Sequence, residues 1–174
     1  MTQATADRTG KLEDHGDGTY TYTFANDVTT AKDPVTGEDI EYDPALTHRL
    51  AMQISGGLLP RVNSTLDFVP SGGAATTRDI AATASCNECH GLLLAHGSRY
   101  EVKYCVTCHN PWTFDAETNT TADMAVMTHK IHASAVLSTP YELAGVDYSE
   151  VTYPQDTRNC RKCHDGQAAA TADG

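Results

Sequence analysis

The sequence predicts a mostly irregular fold with short helices, a small β element at its N-terminus, and a core that its own side chains do not supply. Three observations lead there. Leu, Ile, Val and Phe together make up 28 of the 174 residues, under the roughly 20 per cent below which a charged chain is usually read as disordered. The formal charge is −11, so burial of side chains alone cannot offset the conformational entropy of ordering the chain. All six cysteines fall in C-x-x-C pairs, which points to a bound group as the substitute core.

Residues 1–17 are polar and expected to be loose. Thr19–Phe24 alternates Thr and Tyr before an aromatic end, a strand pattern, and the turn His15–Gly18 can join it to Lys11–Asp14 as a hairpin. Asp33-Pro34-Val-Thr-Gly37 and Asp43-Pro44 read as turns. In Thr47–Ser55, Leu50, Met52 and Ile54 alternate as in a half-buried strand. Ser55-Gly-Gly57 and Ser71-Gly-Gly73 bracket an expected loop. The domain boundary is placed there, giving a β-rich segment over 1–56 and a cofactor-binding region over 57–174. From Ala81 onward short helices are expected at each cysteine pair. One of these runs over Gly91–Gly97, and a longer helix covers roughly Ala122–Ala135.

The charge is evenly spread, at −6 for residues 1–85 and −5 for residues 86–174. An acidic chain without a basic stripe excludes nucleic acid as the partner, since phosphate recognition needs clustered Lys and Arg. No apolar run approaches the length of a membrane span. Met1–Gly10 lacks the basic and apolar regions of a signal peptide. If the protein is exported, its targeting segment is expected to have been removed or to lie outside this chain.

The cysteine pairs are Cys86/Cys89, Cys105/Cys108 and Cys160/Cys163, and each second cysteine is followed directly by a histidine: His90, His109 and His164. A disulfide framework leaves the histidines unexplained. A zinc ribbon fits the C-x2-C-x15-C-x2-C of the first two pairs but strands the third. Covalent c-type haem, attached at C-x-x-C-H, explains all three. Two thiols one helical turn apart can each form a thioether to one porphyrin, and the adjacent imidazole then reaches the iron. With 8 His in 174 residues, three falling at that position by chance is on the order of 1 in 10,000. Three covalently bound haem c groups are therefore expected, and their flat apolar faces supply the missing core.

A haem iron held by one histidine leaves a sixth position open or closed by a second side chain. Five histidines remain. His15, in a polar turn, reads as solvated. His129 and His132 lie at i and i+3 on one helical face, so two neighbouring irons can each take one. His96 is only six residues from His90, at most about 20 Å of chain, so it should serve a different iron. His48 stands in the strand-like segment, where a lone histidine ordinarily is a surface residue. Met52, Met124 and Met127 are axial candidates that more often simply pack. Four distal histidines for three irons favour closed, bis-histidine irons, which move electrons and do not bind substrate.

The segments Cys86-Asn-Glu-Cys-His-Gly-Leu-Leu-Leu-Ala-His96, Tyr104-Cys-Val-Thr-Cys-His-Asn-Pro111, His129-Lys-Ile-His132 and Tyr153-Pro-Gln-Asp-Thr-Arg-Asn-Cys-Arg-Lys-Cys-His164 resemble the OmcA/MtrC family of outer-membrane multihaem c-type cytochromes. The resemblance runs from about Thr19 to the C-terminus. It implies a split-barrel β domain, of which Gly18–Phe24 is the last part, followed by a pentahaem domain of haems among short helices. It also implies His48, His96, His129 and His132 as distal ligands. The family's pentahaem domain carries two further attachment motifs, whereas this chain ends in the low-complexity Gly166–Gly174. The chain is thus expected to be a piece of a longer cytochrome or a shortened relative, with the fourth histidine serving a haem carried elsewhere.

The resemblance further implies an exported protein at the cell surface, the outer membrane or beyond, rather than in the periplasm. Expected partners are other multihaem cytochromes or further haem domains of the same protein, and metal or soluble-shuttle acceptors outside the cell. Homo-oligomerisation stays open. The expected role is electron carriage rather than catalysis, with a part in dissimilatory metal reduction left open. The alternative is a multihaem reductase in which one open iron acts on a small oxyanion.

Overall fold

The computed structural model describes residues 7–33, 36–57 and 59–164, and the chain divides into two compact units, 1–44 and 45–174. Within the first unit, β1 (Lys11–Asp14) and β2 (Tyr20–Thr23) form an antiparallel hairpin in which Lys11 faces Thr23 and Asp14 faces Tyr20. Gly16 and Gly18 supply the left-handed φ values of 74° and 90° that its turn requires. His15 is exposed there, and its Nε2 lies 2.8 Å from Thr21 Oγ1. Asp7 organises the open end. Its carboxylate accepts from Gly10 N at 2.9 Å, Tyr22 Oη at 2.8 Å, Ala25 N at 2.7 Å and Asn26 N at 2.9 Å.

The second unit opens on a longer hairpin, β3 (His48–Gly56) and β4 (Leu59–Phe68), registered from His48↔Phe68 to Ile54↔Val62. Residues 59–68 are therefore a strand, not the expected loop. The boundary expected after residue 56 coincides with the hairpin turn, where Gly57 takes φ 56°, while the compact unit begins at Ala45. The period-2 signal in Val62, Leu66 and Phe68 is interrupted by Pro60 and Ser64, which is why the strand reads as loop.

The faces of this hairpin reverse the usual amphipathy. Met52, Ile54, Leu66 and Phe68 are exposed at 40–58%, so the half-buried alternation expected of Met52 and Ile54 does not hold. The polar face is the one packed. Arg49 pairs bidentately with Asp67 at 2.6 and 2.8 Å and donates to Lys103 O. The nearly buried Asn63 donates to Ser98 O at 3.1 Å and accepts from Tyr100 N at 2.8 Å, and Arg99 Nε donates to Gln53. Packing is set by satisfied polar groups here, because a buried amide or guanidinium without partners is costly.

Three short helices follow: α1 (Thr83–His90), α2 (Val102–Cys105) and α3 (Met124–His132). Asp123 caps α3 by accepting from Ala125 N and Val126 N, and a 3-10 turn, Ser134–Val136, continues it. The helix expected over Gly91–Gly97 is absent. Gly91, at φ 66°, ends α1, and Asn87 Oδ1 accepts from Leu93 N at 2.6 Å. β5 (Glu142–Leu143) and β6 (Val146–Asp147) close a minimal hairpin over Ala144 and Gly145.

The apolar core among the described residues is Ala122, Tyr141 and Leu143, flanked by Met127, Ile131, Leu137 and Tyr148. Large apolar side chains stand exposed among the described residues, Leu66, Leu92 and Trp112 at 56–58%. Much of its apolar surface thus lies uncovered by protein.

Candidate cofactor site

Each C-x-x-C-H motif is wound into one helical turn. The first occupies the end of α1. In the second, Cys108 N and His109 N both donate to Cys105 O, at 3.1 and 2.9 Å. The third repeats this with Cys163 N and His164 N on Cys160 O, at 3.2 and 2.9 Å, and Cys160–Lys162 is a 3-10 turn. None of the six cysteines is joined in a disulfide. Burial pushes the Cys86 thiol up, and the nearby Cys163 adds to the rise. Burial also raises Cys105, with Cys86 among the contributors. The first motif therefore lies within electrostatic reach of the other two.

The motif histidines are each paired with a second imidazole. His90 faces His132, His109 faces His96, and His164 faces His129, every pair with ring centres 6.0 Å apart. With a metal–imidazole bond of about 2 Å and a ring centre roughly 1 Å behind Nε2, two rings on one metal stand about 6 Å apart. Among the described residues no group of three or more His, Cys, Asp or Glu side chains converges on a cation. Each motif histidine thus has one second imidazole at that distance, a donor set that fits a tetrapyrrole iron better than a tetrahedral zinc.

Hydrogen bonds set the ring tautomers. Nδ1 of His109 lies 2.9 Å from Ala122 O, and Nδ1 of His164 lies 2.9 Å from Ile80 O. On α3, His129 and His132 each reach back one turn, to Ala125 O at 2.6 Å and Thr128 O at 2.8 Å. A carbonyl only accepts, so Nδ1 carries the proton in all four and Nε2 keeps its lone pair for a metal. Burial, followed by the charges of Arg99 and His109, lowers the pKa of His96 and so favours its neutral form.

His96 is held by a tight loop closed by the Ala95–Arg99 bridge, with φ values of 48° at His96 and 78° at Gly97. A left-handed φ is strained for a residue with a Cβ, and such strain marks a position fixed by its surroundings. His48 lies on β3 with its ring 6.0 Å from Phe68, and the three motif histidines complete their pairs without it. Met52 is exposed, and Met127 packs against the apolar core.

Two features had no signal in the sequence. Lys162 Nζ pairs with Glu88 Oε2, which joins the interior of the third motif to that of the first. Tyr153 sets its ring edge-on to His132, at 5.5 Å and 89°. Around the motifs, Ile80, Leu92, Leu94, Trp112, Phe114 and Val126 are exposed at 38–57%. Apolar side chains so placed are what a flat hydrophobic group would cover.

Comparison with known proteins gives one consistent result. The family described as "Outer membrane cytochrome MtrC/MtrF-like, domains II/IV" matches residues 78–174. The multiheme cytochrome MtrC of Shewanella baltica (strain OS185) is 36% identical over 111 residues, covering 58% of this chain and 16% of that protein. The crystal structure of the outer membrane decaheme cytochrome OmcA superposes with a TM-score of 0.73 at 28% identity, over 87% of this chain and 25% of that one. The crystal structure of MtrC from S. baltica OS185 matches with a TM-score of 0.58 at 29% identity, over 74% of this chain and 21% of that one. The chain thus spans between a sixth and a quarter of the length of these relatives.

Proposed function

The chain belongs to the MtrC/MtrF-like family of outer-membrane multihaem cytochromes, and we propose that it carries three haem c groups, each closed by two histidines, and relays electrons along them. The carrying observation is the threefold repeat of two imidazoles 6.0 Å apart, one of each pair belonging to a C-x-x-C-H motif. The proposed ligand sets are His90/His132 with thioethers from Cys86 and Cys89, His109/His96 with Cys105 and Cys108, and His164/His129 with Cys160 and Cys163.

Haem iron, when bound, supplies a one-electron ferric/ferrous change. The chain's residues hold it, fix its spacing and bias its potential. The Nδ1–H···O=C bonds of His109, His129, His132 and His164 strengthen each imidazole as a donor and favour the ferric state. The acidic chain, at −11, acts in the same direction.

A second imidazole opposite each motif histidine supports closed irons, and so weighs against an open-iron reductase. His48 is proposed as the distal ligand of a further haem carried outside these three motifs, on the family resemblance. By the same resemblance the protein acts at the cell surface and delivers electrons to metal or soluble-shuttle acceptors there. It would exchange electrons with other multihaem cytochromes. Among the described residues no helix is long and apolar enough to cross a membrane.

The test is a haem count per chain by absorbance together with addition of cyanide or carbon monoxide. Three haems whose Soret bands do not shift quickly are expected. One fast-shifting haem, or a colourless protein, overturns the reading.

A further inference from the structure

The three imidazole pairs are not alike. His109/His96 and His164/His129 are close to parallel, with interplanar angles of 20° and 19°, whereas His90 and His132 stand crosswise at 84°. Anchoring differs too. His109 and His164 are each fixed through Nδ1 to a carbonyl, Ala122 O and Ile80 O, while no hydrogen bond fixes His90 Nδ1 among the described residues. The His132 ring is restrained twice, by Nδ1 on Thr128 O and by Tyr153, whose ring is perpendicular to it at 89°. His129, one turn earlier on α3, has the same kind of carbonyl anchor on Ala125 O. The helix therefore does not explain the difference.

We infer that Tyr153 is a positioning residue that holds His132 crosswise to His90, making the Cys86–Cys89 site electronically distinct from the other two. The inference rests on the bis-histidine reading above. Parallel imidazole planes donate into the same iron dπ orbital and split the dπ pair, so the ferric hole occupies one orbital and the paramagnetic signal is rhombic. Crosswise planes raise both orbitals equally. Orbital angular momentum then survives, and the signal becomes strongly anisotropic. The unsplit pair also stabilises the ferric hole less, so this site favours the ferrous state relative to a parallel arrangement of the same ligands. The two ring centres stand 5.5 Å apart, while the Tyr153 hydroxyl is engaged with Cys163, which separates the positioning role from any polar one.

Electron paramagnetic resonance of the fully oxidised, haem-loaded chain tests this. One strongly anisotropic low-spin signal and two rhombic low-spin signals are expected. Tyr153→Phe should keep that pattern. Tyr153→Leu should convert the anisotropic signal to a third rhombic one with every iron still low-spin. His132→Met should abolish the anisotropic signal and leave the rhombic pair. Three rhombic signals in the unaltered chain overturn the inference and leave the bis-histidine reading intact, as does an anisotropic signal that survives Tyr153→Leu. High-spin iron in the unaltered chain overturns the bis-histidine reading itself. Should Tyr153→Leu fail to take up haem, the unaltered chain and His132→Met still decide whether the crosswise site exists.

Discussion

Lys162 and Glu88 form an ion pair between two attachment motifs, each occupying the last residue before the second cysteine of its motif. They are 74 positions apart in sequence. Glu88 raises the Lys162 pKa, through the hydrogen bond first and its charge second. With His164 on Ile80 O and α3 facing both His90 and His164, this pair ties the third motif to the first.

All three haems should titrate at low potential in a broad wave, given two imidazoles per iron and an acidic chain. Glu88→Gln leaves an uncompensated cation beside two of them. The expected result is a shift of part of the wave to higher potential with the haem count unchanged. Spectroelectrochemistry of the two proteins side by side reads it, and a wave that does not move would remove Glu88 from the electrostatics of these sites.

Replacing His129 or His132 by Ala should convert one haem of three to a high-spin or water-ligated form. The haem affected should differ between the two variants. His48→Ala should leave all three low-spin. Magnetic circular dichroism of each variant counts the spin states. If neither helix variant yields high-spin iron, the ligand sets proposed here are wrong.

Without haem attachment the chain should not fold cooperatively. Among the described residues, three buried apolar side chains are far too few to offset an entropy of about 1–2 kcal/mol for each ordered backbone residue, and loss of a structural cofactor unfolds small metal-dependent domains in the same way. Expression without the attachment machinery, followed by a thermal scan in circular dichroism, should show no sigmoidal transition. A well-folded colourless chain would contradict this.

The N-terminal hairpin should be acid-sensitive through Asp7. Its carboxyl is lowered to about 2, first by Asn26 N, with Tyr22 Oη, Gly10 N and Ala25 N adding to the effect. A depressed carboxyl stabilises above its unfolded value of 3.8, and the contribution is lost as pH falls from there through about 2. Amide chemical shifts of β1 and β2 followed down in pH should move together in that window, and Asp7→Asn should abolish the transition. Gly10→Ala should disrupt the hairpin at every pH, since a Cβ there would collide with Thr23 O and the Tyr22 ring.

The attachment motifs were legible because thioether formation is local chemistry, written in five consecutive residues. The first hairpin was legible for a similar reason, with Gly16 and Gly18 marking its turn. Ligand pairing was not legible. Joining His132 to His90, or His129 to His164, depends on where α3 sits, and no spacing encodes that. β4 escaped because Pro60 and Ser64 break its apolar alternation, while Asn63 on the opposite face is given to Ser98 and Tyr100 as a packed polar contact. The missing helix at Gly91–Gly97 shows apolar run length misleading in the other direction. Leu92 and Leu94 are exposed rather than packed on a helical face.

Helix α3 presents His129 to one motif histidine and His132 to another. Three residues of helix advance roughly 4.5 Å along the axis, so the offset between these two contacts is a property of backbone hydrogen bonding rather than of loop conformation. Tunnelling falls off exponentially with separation, and a flexible mount would spread the transfer rate over a wide range. A single strut with both contacts built into one turn narrows that spread. It also fails as a unit, since fraying α3 from its Asp123 cap would disturb both imidazole pairs together.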